Sequence, residues 1–522
     1  MVGGRRARFV ALVVAGIVAA SSVVAPLAVA DEVLHPTVDP FYVPPEGFET
    51  AQPGDILRRR EVTVSLRGLP FGVGEALQLQ YRTTHAQGDP SHTVATVLVP
   101  DTPWQGPGPR PLVSHQEPIN ALGAQCVPSY LLRKGEDEDA AAQIALMLAR
   151  GWVVVVPDHE GPRHAYAAGL MAGHATLDGV RAALASGAGG LTSDSPVAFG
   201  GYSGGAIATG WAAELHPTYA PELHAVGFAV GGTPSDYELM GRYVERGPFT
   251  GIFIGAAIGL LREYPDKQHI LNDRGREAQE RLAEACVAEM ALTYPFASFA
   301  DFTVSDDPFR DPEILELVTE NRLGAGAPTA PVFLHHGLLD EGVPYQGAVT
   351  LRDEWCANGA QVRLVTGLVT EHLLEPVLRI PEVLAFFGGR FAGDEPSGFC
   401  VPASGDTAND DGREDEDGAD DADPDRGADP DPDRGADPDP AAGPGSAPET
   451  TPPAPTPGTG GPEAGSGTAD GEGRAGPGST PVAARPGAPL PVTGGGPAPW
   501  SGLLALGALL VAVGRRRHPR RA

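Results

Sequence analysis

Cysteine and basic side chains are both scarce in this chain of 522 residues. It has 4 cysteines, and Lys and Arg number 37 against 67 for Asp and Glu, which gives a formal net charge of −30. No two cysteines form a Cys-x-x-Cys pair, and this spacing disfavours a metal or redox site. Phosphate binding needs clustered positive charge, and no basic stripe occurs between residues 31 and 400. We therefore expect neither a metal nor a nucleic acid as a partner.

The acidic excess is concentrated in a segment near the C-terminus. Residues 401–489 carry 20 acidic and 5 basic side chains, contain no aromatic residue, and repeat Asp-Pro-Asp-Arg-Gly-Ala-Asp-Pro at 423–430 and 431–438. Such a composition cannot bury enough apolar surface to offset the entropy of ordering the chain. We predict a disordered spacer with a span of roughly 50 to 60 Å.

The first thirty residues have the pattern of an export signal. Three arginines precede an apolar run at 9–24, and Ala-Val-Ala at 28–30 supplies the small residues that a signal peptidase needs. This predicts a signal peptide at 1–30 and a mature chain that begins at Asp31. A membrane anchor is the alternative, and the paired arginines leave a folded-export route open.

A short motif, an apolar run and a basic end follow one another after the spacer. Leu-Pro-Val-Thr-Gly at 490–494 precedes the apolar run 500–513, and five arginines follow. Together, at 490–522, these parts resemble the sortase signal of Gram-positive wall proteins, which would be cut here between Thr493 and Gly494. The resemblance implies a secreted protein covalently anchored to the cell wall, with sortase and peptidoglycan as partners. A plain tail anchor is the alternative.

A nucleophile motif lies between a predicted strand and a predicted helix. Gly-Tyr-Ser-Gly-Gly at 201–205 matches Gly-x-Ser-x-Gly, follows the apolar run 197–199 and precedes a helical pattern at 206–215 that Pro217 ends. Glycine neighbours admit a strained backbone at the serine and leave room for a substrate carbonyl. The pattern predicts Ser203 as a nucleophile raised clear of the sheet.

A serine nucleophile needs a histidine base and an acid, which in this arrangement follow the serine in the order acid, then histidine. The predicted strand 331–334 leads to Asp340, and the predicted strand 361–365 leads to His372. Because the carboxyl ends of parallel strands meet at one edge of the sheet, both side chains should lie near Ser203. The order and placement predict Asp340 as the acid and His372 as the base.

Other residues compete for these roles. His335 and His336 are alternative bases at a strand end, and Glu341 is the alternative acid. The pair His159-Glu160 invites a zinc-protease interpretation, but the next histidine is five residues after His159, and Gly-Pro breaks the helix that such a motif requires. We interpret that pair as part of a structural turn.

The negative charge that develops during ester cleavage needs two aligned donors. The backbone N–H of Gly204, which follows the nucleophile, is the first. The second should come from the loop at 115–126, and its composition does not single out a residue. The four cysteines, Cys126, Cys286, Cys356 and Cys400, permit two disulfide bonds in an exported protein, with three pairings open.

Residues 39–400 resemble the secretory lipases of fungi and actinobacteria typified by yeast lipase A. The matching stretches occur in one collinear order: DPFY at 39–42, LQYRTT at 79–84, CVPSY at 126–130, DHEG at 158–161, LDGVR at 177–181, GYSGGA at 201–206, GGTP at 231–234, TYPF at 293–296, DEGVPY at 340–345 and EHL at 371–373. The resemblance implies an α/β-hydrolase fold at 31–400, with a mostly parallel central sheet flanked by helices and a helical cap inserted at about 235–322.

The resemblance also implies roles for particular residues. It agrees with Ser203, Asp340 and His372 as the triad, and it implies the disulfide pairs 126 with 286 and 356 with 400. The family's aspartate that supplies the second oxyanion donor falls on Asn120 here. A backbone N–H donor could survive that change, whereas a carboxylate role could not.

One apolar run lies inside the expected cap. Residues 251–261 are eleven apolar residues, too few to span a bilayer. They fit a buried cap helix, and their glycines also fit an opening for an acyl chain.

We expect a secreted, monomeric serine lipase or esterase that cleaves acylglycerols or related fatty esters through an acyl-enzyme, without metal or organic cofactor. A lipid interface is one place where such a substrate would be met. A carboxylesterase for short-chain or polymeric surface esters, an inactive wall-displayed binding protein and an acyltransferase are the alternatives.

Overall fold

The computed structural model describes residues 33–69 and 71–400. The predicted signal peptide at 1–30, the spacer at 401–489 and the sorting signal at 490–522 lie outside the described residues, so those interpretations remain predictions.

A sheet of nine strands forms the centre of the described part of the chain. The strands are β1 (Ile56–Glu61), β2 (Val73–Thr84), β3 (Pro90–Pro100), β4 (Leu112–Gln116), β5 (Val153–Pro157), β6 (Val197–Tyr202), β7 (Ala225–Gly231), β8 (Val332–Gly337) and β9 (Val362–Gly367). Their spatial order is β1-β2-β3-β5-β4-β6-β7-β8-β9. The pairs from β5 to β9 are parallel, and the three pairs at the β1 end are antiparallel. This is the mostly parallel sheet that was expected for residues 31–400.

Helices cover both faces of the sheet. They are α1 (Pro128–Lys134), α2 (Glu138–Leu148), α3 (Gly169–Ser186), α4 (Gly204–Tyr219), α5 (Tyr237–Val244), α6 (Thr250–Leu261), α7 (Asp273–Arg281), α8 (Val287–Thr293), α9 (Pro312–Glu320), α10 (Tyr345–Ala357) and α11 (Leu374–Ala392). On β6, Val197 and Phe199 join the core formed with α3 and α4, whereas Ala198 joins the core formed with α2 and α11. Successive strand residues point to opposite faces, so the two buried cores explain why β6 is apolar on both sides.

The chain between β7 and β8 is an insertion that carries helices α5 to α9. These helices occupy residues 237–320, inside the segment predicted as a cap. Its most apolar helix, α6, packs closely on its neighbours. A Cβ at Gly251 would lie 2.1 Å from the carbonyl oxygen of Met290, one at Gly255 would lie 2.0 Å from the Met290 sulfur, and one at Gly259 would lie 2.6 Å from backbone atoms of Tyr166. The glycines of α6 therefore allow Met290 and Tyr166 to pack closely against the helix. These two residues fill the space beside the glycines.

Two disulfide bonds join parts of the chain that are distant in sequence. Cys126 is bonded to Cys286, 160 residues away, and Cys356 is bonded to Cys400, 44 residues away. These are the pairings implied by the family resemblance. The first bond links the loop after β4 to the insertion, just before α8. Within the described ranges no helix is both long enough and apolar enough to cross a membrane.

Candidate active site

Ser203 occupies a strained turn between β6 and α4. Its backbone angles are φ 55° and ψ −120°, a conformation that costs a non-glycine residue about 1–3 kcal/mol. The neighbouring glycines make the turn possible because any side chain there would clash with the backbone. A Cβ at position 205 would lie 2.0 Å from the Gln116 carbonyl oxygen, and a Cβ at position 201 would lie 2.4 Å from the Gly205 carbonyl oxygen. The Gly-x-Ser-x-Gly pattern is therefore required here by sterics.

Ser203, His372 and Asp340 form one hydrogen-bonded chain. His372 Nε2 lies 3.0 Å from Ser203 Oγ, and His372 Nδ1 lies 2.7 Å from Asp340 Oδ2. Asp340 follows β8 and His372 follows β9, so the carboxyl edge of the sheet brings all three together as the sequence predicted. In this geometry Nδ1–H donates to the carboxylate, and Nε2 is free to accept the serine proton.

Charge and hydrogen bonding fix the ionisation of the acid and the histidine. Burial by itself would raise the pKa of Asp340, but His372 and His336 lower it below the usual range of a carboxyl group. The other oxygen, Asp340 Oδ1, accepts from the backbone N–H of Gly342 at 2.9 Å and of Val343 at 2.7 Å. For His372, burial favours the neutral ring, and Asp340 more than offsets this, so the pKa of His372 is raised. Asp340 is thus an anion, and it supports positive charge on His372.

The competing residues make other contacts. His336 Nε2 donates to the Val343 carbonyl oxygen at 3.1 Å and lies 3.3 Å from Asp340 Oδ2. His335 Nδ1 lies 3.6 Å from Glu375 Oε1, and burial lowers its pKa. Glu341 accepts the backbone N–H of His372 at 3.3 Å rather than its ring. His336 therefore holds the acid in place, whereas His335 and Glu341 contact neither ring nitrogen of His372.

The loop after β4 places Asn120 against Gly204, the residue after the nucleophile. Asn120 has a positive φ of 45°, which asparagine tolerates better than most residues. A Cβ built on Gly204 would lie 1.8 Å from Asn120 Oδ1, so the two residues are in close contact, and Oδ1 is buried without a hydrogen-bond partner. Gly204 is also the first residue of α4, where backbone N–H groups have no partner within the helix. Both predicted oxyanion residues thus lie beside Ser203.

A buried carboxyl group lies behind this loop. Burial raises the pKa of Glu160 well above the usual value, and the nearby backbone N–H groups of Ala121 and Asn120 offset this only in part. Glu160 Oε2 is buried without a hydrogen-bond partner. The side-chain amide of Asn120 is the group of that residue in contact with Gly204.

The turn that begins at Asp158 is structural, as its sequence indicated. Ser129 donates to Asp158 through its backbone N–H at 2.9 Å and through its hydroxyl at 2.5 Å. Burial raises the pKa of Asp158 to about 7. His159 Nε2 donates to the Glu117 carbonyl oxygen at 2.8 Å, and burial lowers the pKa of His159 to about 4. Across residues 33–69 and 71–400, no three His, Cys, Asp or Glu side chains are grouped to hold a metal ion.

The family model for secretory lipases matches residues 138–398. A secreted triacylglycerol lipase of Malassezia furfur is 38% identical over 395 residues, which cover 71% of this chain and 83% of that protein. The chain belongs to the secretory lipase family. This confirms the predicted class, a carboxylic ester hydrolase, and agrees with an extracellular location.

Two further relatives show the range of this family. Lipase A of Candida antarctica, whose X-ray structure is known, superposes on this lipase with a TM-score of 0.65 at 32% identity, covering 71% of this chain and 90% of that one. This confirms the α/β-hydrolase fold. A Mycobacterium tuberculosis protein is 36% identical over 375 residues, covering 69% of this chain and 83% of its own, and is named a probable inactive lipase.

Three contacts in this lipase were not predicted from its sequence. The Tyr202 hydroxyl donates to the His372 carbonyl oxygen at 2.8 Å, and the two rings are 5.2 Å apart. The Tyr243 hydroxyl, on α5 of the insertion, donates to the Asp340 carbonyl oxygen at 2.8 Å. His336 supports Asp340, as described above. Tyr202 occupies a variable position of the nucleophile motif, and Tyr243 is 97 residues from its partner, so neither contact has a local sequence signal.

Proposed function

We propose that Ser203, His372 and Asp340 are the catalytic triad of a lipase that hydrolyses fatty-acid esters of the triacylglycerol type. The observation that carries the proposal is the hydrogen-bonded chain from Asp340 through His372 to the strained Ser203. The substrate class rests on the Malassezia furfur relative, which is named a triacylglycerol lipase. The intact chain of contacts favours an active enzyme over an inactive binding protein.

The chemistry follows from these positions in two stages. Ser203 Oγ attacks the ester carbonyl carbon while its proton passes to His372 Nε2. The tetrahedral intermediate expels the alcohol, which takes the proton from His372, and an acyl-serine remains. A water molecule then attacks the acyl-serine, again giving its proton to His372, and the carboxylic acid leaves as that proton returns to Ser203. Asp340 stays ionised and stabilises the positive ring in both stages.

The oxyanion of each tetrahedral intermediate needs hydrogen-bond donors beside Ser203. We assign the backbone N–H of Gly204 and the side-chain amide of Asn120 to this role. The amide is chosen because its oxygen position lies against Gly204 and is buried without a hydrogen-bond partner. Rotating the amide by half a turn exchanges its oxygen and nitrogen and places an N–H donor beside Gly204.

The test is covalent labelling combined with a serine variant. A fluorophosphonate should label Ser203 in the wild-type protein, and Ser203→Ala should lose ester hydrolysis, by about 10⁶-fold in kcat, while its thermal unfolding midpoint stays at or above the wild-type value. Retained turnover in the purified variant would contradict the triad. No labelling of the folded wild-type protein would favour an inactive binding protein.

We also propose that this lipase is exported through residues 1–30 and joined to peptidoglycan through Thr493, after sortase cleaves the bond to Gly494. The support is the order of motif, apolar run and arginines at 490–522. Residues 401–489 would then act as a spacer that spans part of the cell wall and separates the lipase from its point of attachment.

A further inference from the structure

The first helix of the insertion, α5, contacts the turn that carries Asp340. We call residues 340–343 the acid turn. Met240, Tyr243 and Val244 are three and four residues apart along α5, so their side chains share one face of the helix. This face lies against the acid turn.

Two different contacts hold the two ends of the acid turn. At one end, the Tyr243 hydroxyl donates to the backbone carbonyl oxygen of Asp340 at 2.8 Å. At the other end, the side chain of Val343 is buried in an apolar cluster with Met240 and Val244. The insertion therefore supports the acid turn from both ends.

The position of Val343 also determines where the Asp340 carboxylate lies. The backbone N–H of Val343 donates to Asp340 Oδ1 at 2.7 Å, and its carbonyl oxygen accepts from His336 Nε2 at 3.1 Å. His336 Nε2 lies 3.3 Å from Asp340 Oδ2, which is the oxygen that His372 Nδ1 contacts at 2.7 Å. A shift of the acid turn would therefore move the carboxylate away from His372.

Other contacts fix α5 on the rest of the hydrolase. Asp236, which caps the helix, accepts from Arg322 at 3.0 Å, and Arg322 also donates to Glu354 of α10 at 2.6 Å. The Tyr237 hydroxyl donates to the Ala167 carbonyl oxygen at 2.8 Å, away from the acid turn. The helix thus has a defined position from which Tyr243 reaches Asp340.

We propose that Tyr243 is a positioning residue of the triad, through which α5 holds Asp340 in line with His372. This inference rests on the proposed function, because it takes Asp340 as the acid that stabilises the positive ring of His372. The insertion then contributes to catalysis directly, since the carboxylate is aligned with the ring only while α5 lies on the acid turn.

The pH dependence of catalysis reports this alignment. The titratable groups around His372 are Asp340 and Glu341 on the loop after β8, Glu371 on its own loop, and Tyr202 on β6. Burial lowers the pKa of His372, and among these groups Asp340 raises it most. An Asp340 carboxylate that is less well aligned would favour the protonated ring less, so the pKa of His372 would fall.

The experiment compares two tyrosine variants of the same helix. Tyr243→Phe removes the hydroxyl that donates to Asp340, and Tyr237→Phe removes a hydroxyl that donates to a different backbone carbonyl oxygen at the same distance, 2.8 Å. Hydrolysis of p-nitrophenyl butyrate over a series of pH values gives kcat, KM and the pH midpoint of kcat/KM. Thermal unfolding gives the stability of each variant.

Tyr243→Phe should lower kcat about three- to tenfold, the range expected for one lost hydrogen bond, with less than a twofold change in KM. The midpoint of kcat/KM should move to lower pH. Met240→Ala loosens α5 on the acid turn without removing the hydroxyl, and it should change kcat and the midpoint in the same directions. Tyr237→Phe should keep kcat within twofold and leave the midpoint in place.

A folded Tyr243→Phe variant with the wild-type kcat and midpoint would overturn the inference, even if its unfolding temperature were lower. An equal shift of the midpoint in Tyr237→Phe would also overturn it, because the contact with Asp340 would then have no specific effect. Asp340→Asn separates this inference from the proposed function. If Asp340→Asn keeps the wild-type kcat, the proposed function fails, whereas an inactive Asp340→Asn beside an unaffected Tyr243→Phe overturns only the role of Tyr243.

Discussion

His372 makes the activity of this lipase depend on pH in a direction that the structure determines. The ring must be neutral to accept the serine proton, and Asp340 raises the pKa of His372 above its ordinary value of 6.5. Activity should therefore be lost as the pH falls through that raised pKa, so kcat/KM should rise with pH with a midpoint above 6.5. Asp340→Asn should move the midpoint to lower pH and reduce kcat by about 10⁴-fold. The pH profiles of both proteins on a soluble ester provide the measurement. A midpoint that stays in place in the variant would contradict the coupling.

Asn120 provides a second prediction for a single residue. If its side-chain amide donates to the oxyanion, Asn120→Ala should lower kcat by about 10²–10³-fold with little change in KM. Asn120→Asp restores the family's aspartate. If the amide is the donor in this chain, the kcat of this variant should fall as the new carboxyl group ionises, whereas a backbone donor would keep kcat independent of that ionisation. Steady-state kinetics at several pH values measure both effects. Full activity in Asn120→Ala would assign the donor to the backbone instead.

The sequence predicted the residues of the triad and left their supporting contacts unpredicted. Ser203, Asp340 and His372 each follow an apolar run that predicts a strand, and parallel strands share a carboxyl edge, so pattern alone brings them together. His336 was an alternative base, and only coordinates show that it supports Asp340 instead. The contact between Asn120 and Gly204 also depends on the fold, because the two residues are distant in sequence and no local pattern records it.

At the scale of elements, two loops and the start of α11 place exposed apolar side chains around the triad. Leu338 and Leu339 follow β8, Leu368 and Val369 follow β9, and Val377 lies on α11. Leu368 is 70% exposed and Val369 is 79% exposed. Exposed apolar side chains on the loops that carry Asp340 and His372 fit contact with a lipid surface.

We expect the double variant Leu368→Ser, Val369→Ser to lose at least tenfold in activity on an emulsified triacylglycerol, because insertion of each such side chain contributes about 1.5–3 kcal/mol when complete. Activity on a soluble short ester should change less than twofold. The control is Leu292→Ser, Val304→Ser, a pair of similar exposure, 67% and 63%, in the insertion. Equal losses in both double variants, or on both substrates, would exclude a specific docking role.

Element boundaries were less predictable than the elements themselves. The strand predicted at 197–199 is the first half of β6, which continues to Tyr202, and α4 continues two residues past Pro217 to Tyr219. A proline removes one helical hydrogen bond, and Ala220 still donates to the His216 carbonyl oxygen at 3.1 Å. Likewise, β8 extends to Gly337 because Gly337 is paired with Gly367 of β9. Such pairing with a distant segment is absent from the local pattern.

At the scale of the whole molecule, the order of segments predicts where the enzyme is held. Thr493→Ala should release the lipase from the wall into the medium, because sortase joins proteins through the threonine of its motif. Enzyme activity and immunoblots of wall and medium fractions measure this. The variant should keep the specific activity of the wild-type protein, since position 493 lies outside the hydrolase segment. Unchanged wall retention would count against sortase attachment.

The bond between Cys126 and Cys286 constrains how substrate can reach Ser203. The insertion is joined to the sheet by its two chain connections, after β7 and before β8, and this bond adds a third attachment close to Asn120. With three covalent attachment points, the insertion cannot rotate away from the sheet as a rigid body about a single hinge. An ester must therefore reach Ser203 through smaller local movements of the insertion. Reduction of the bond between Cys126 and Cys286 would remove this restraint on the insertion.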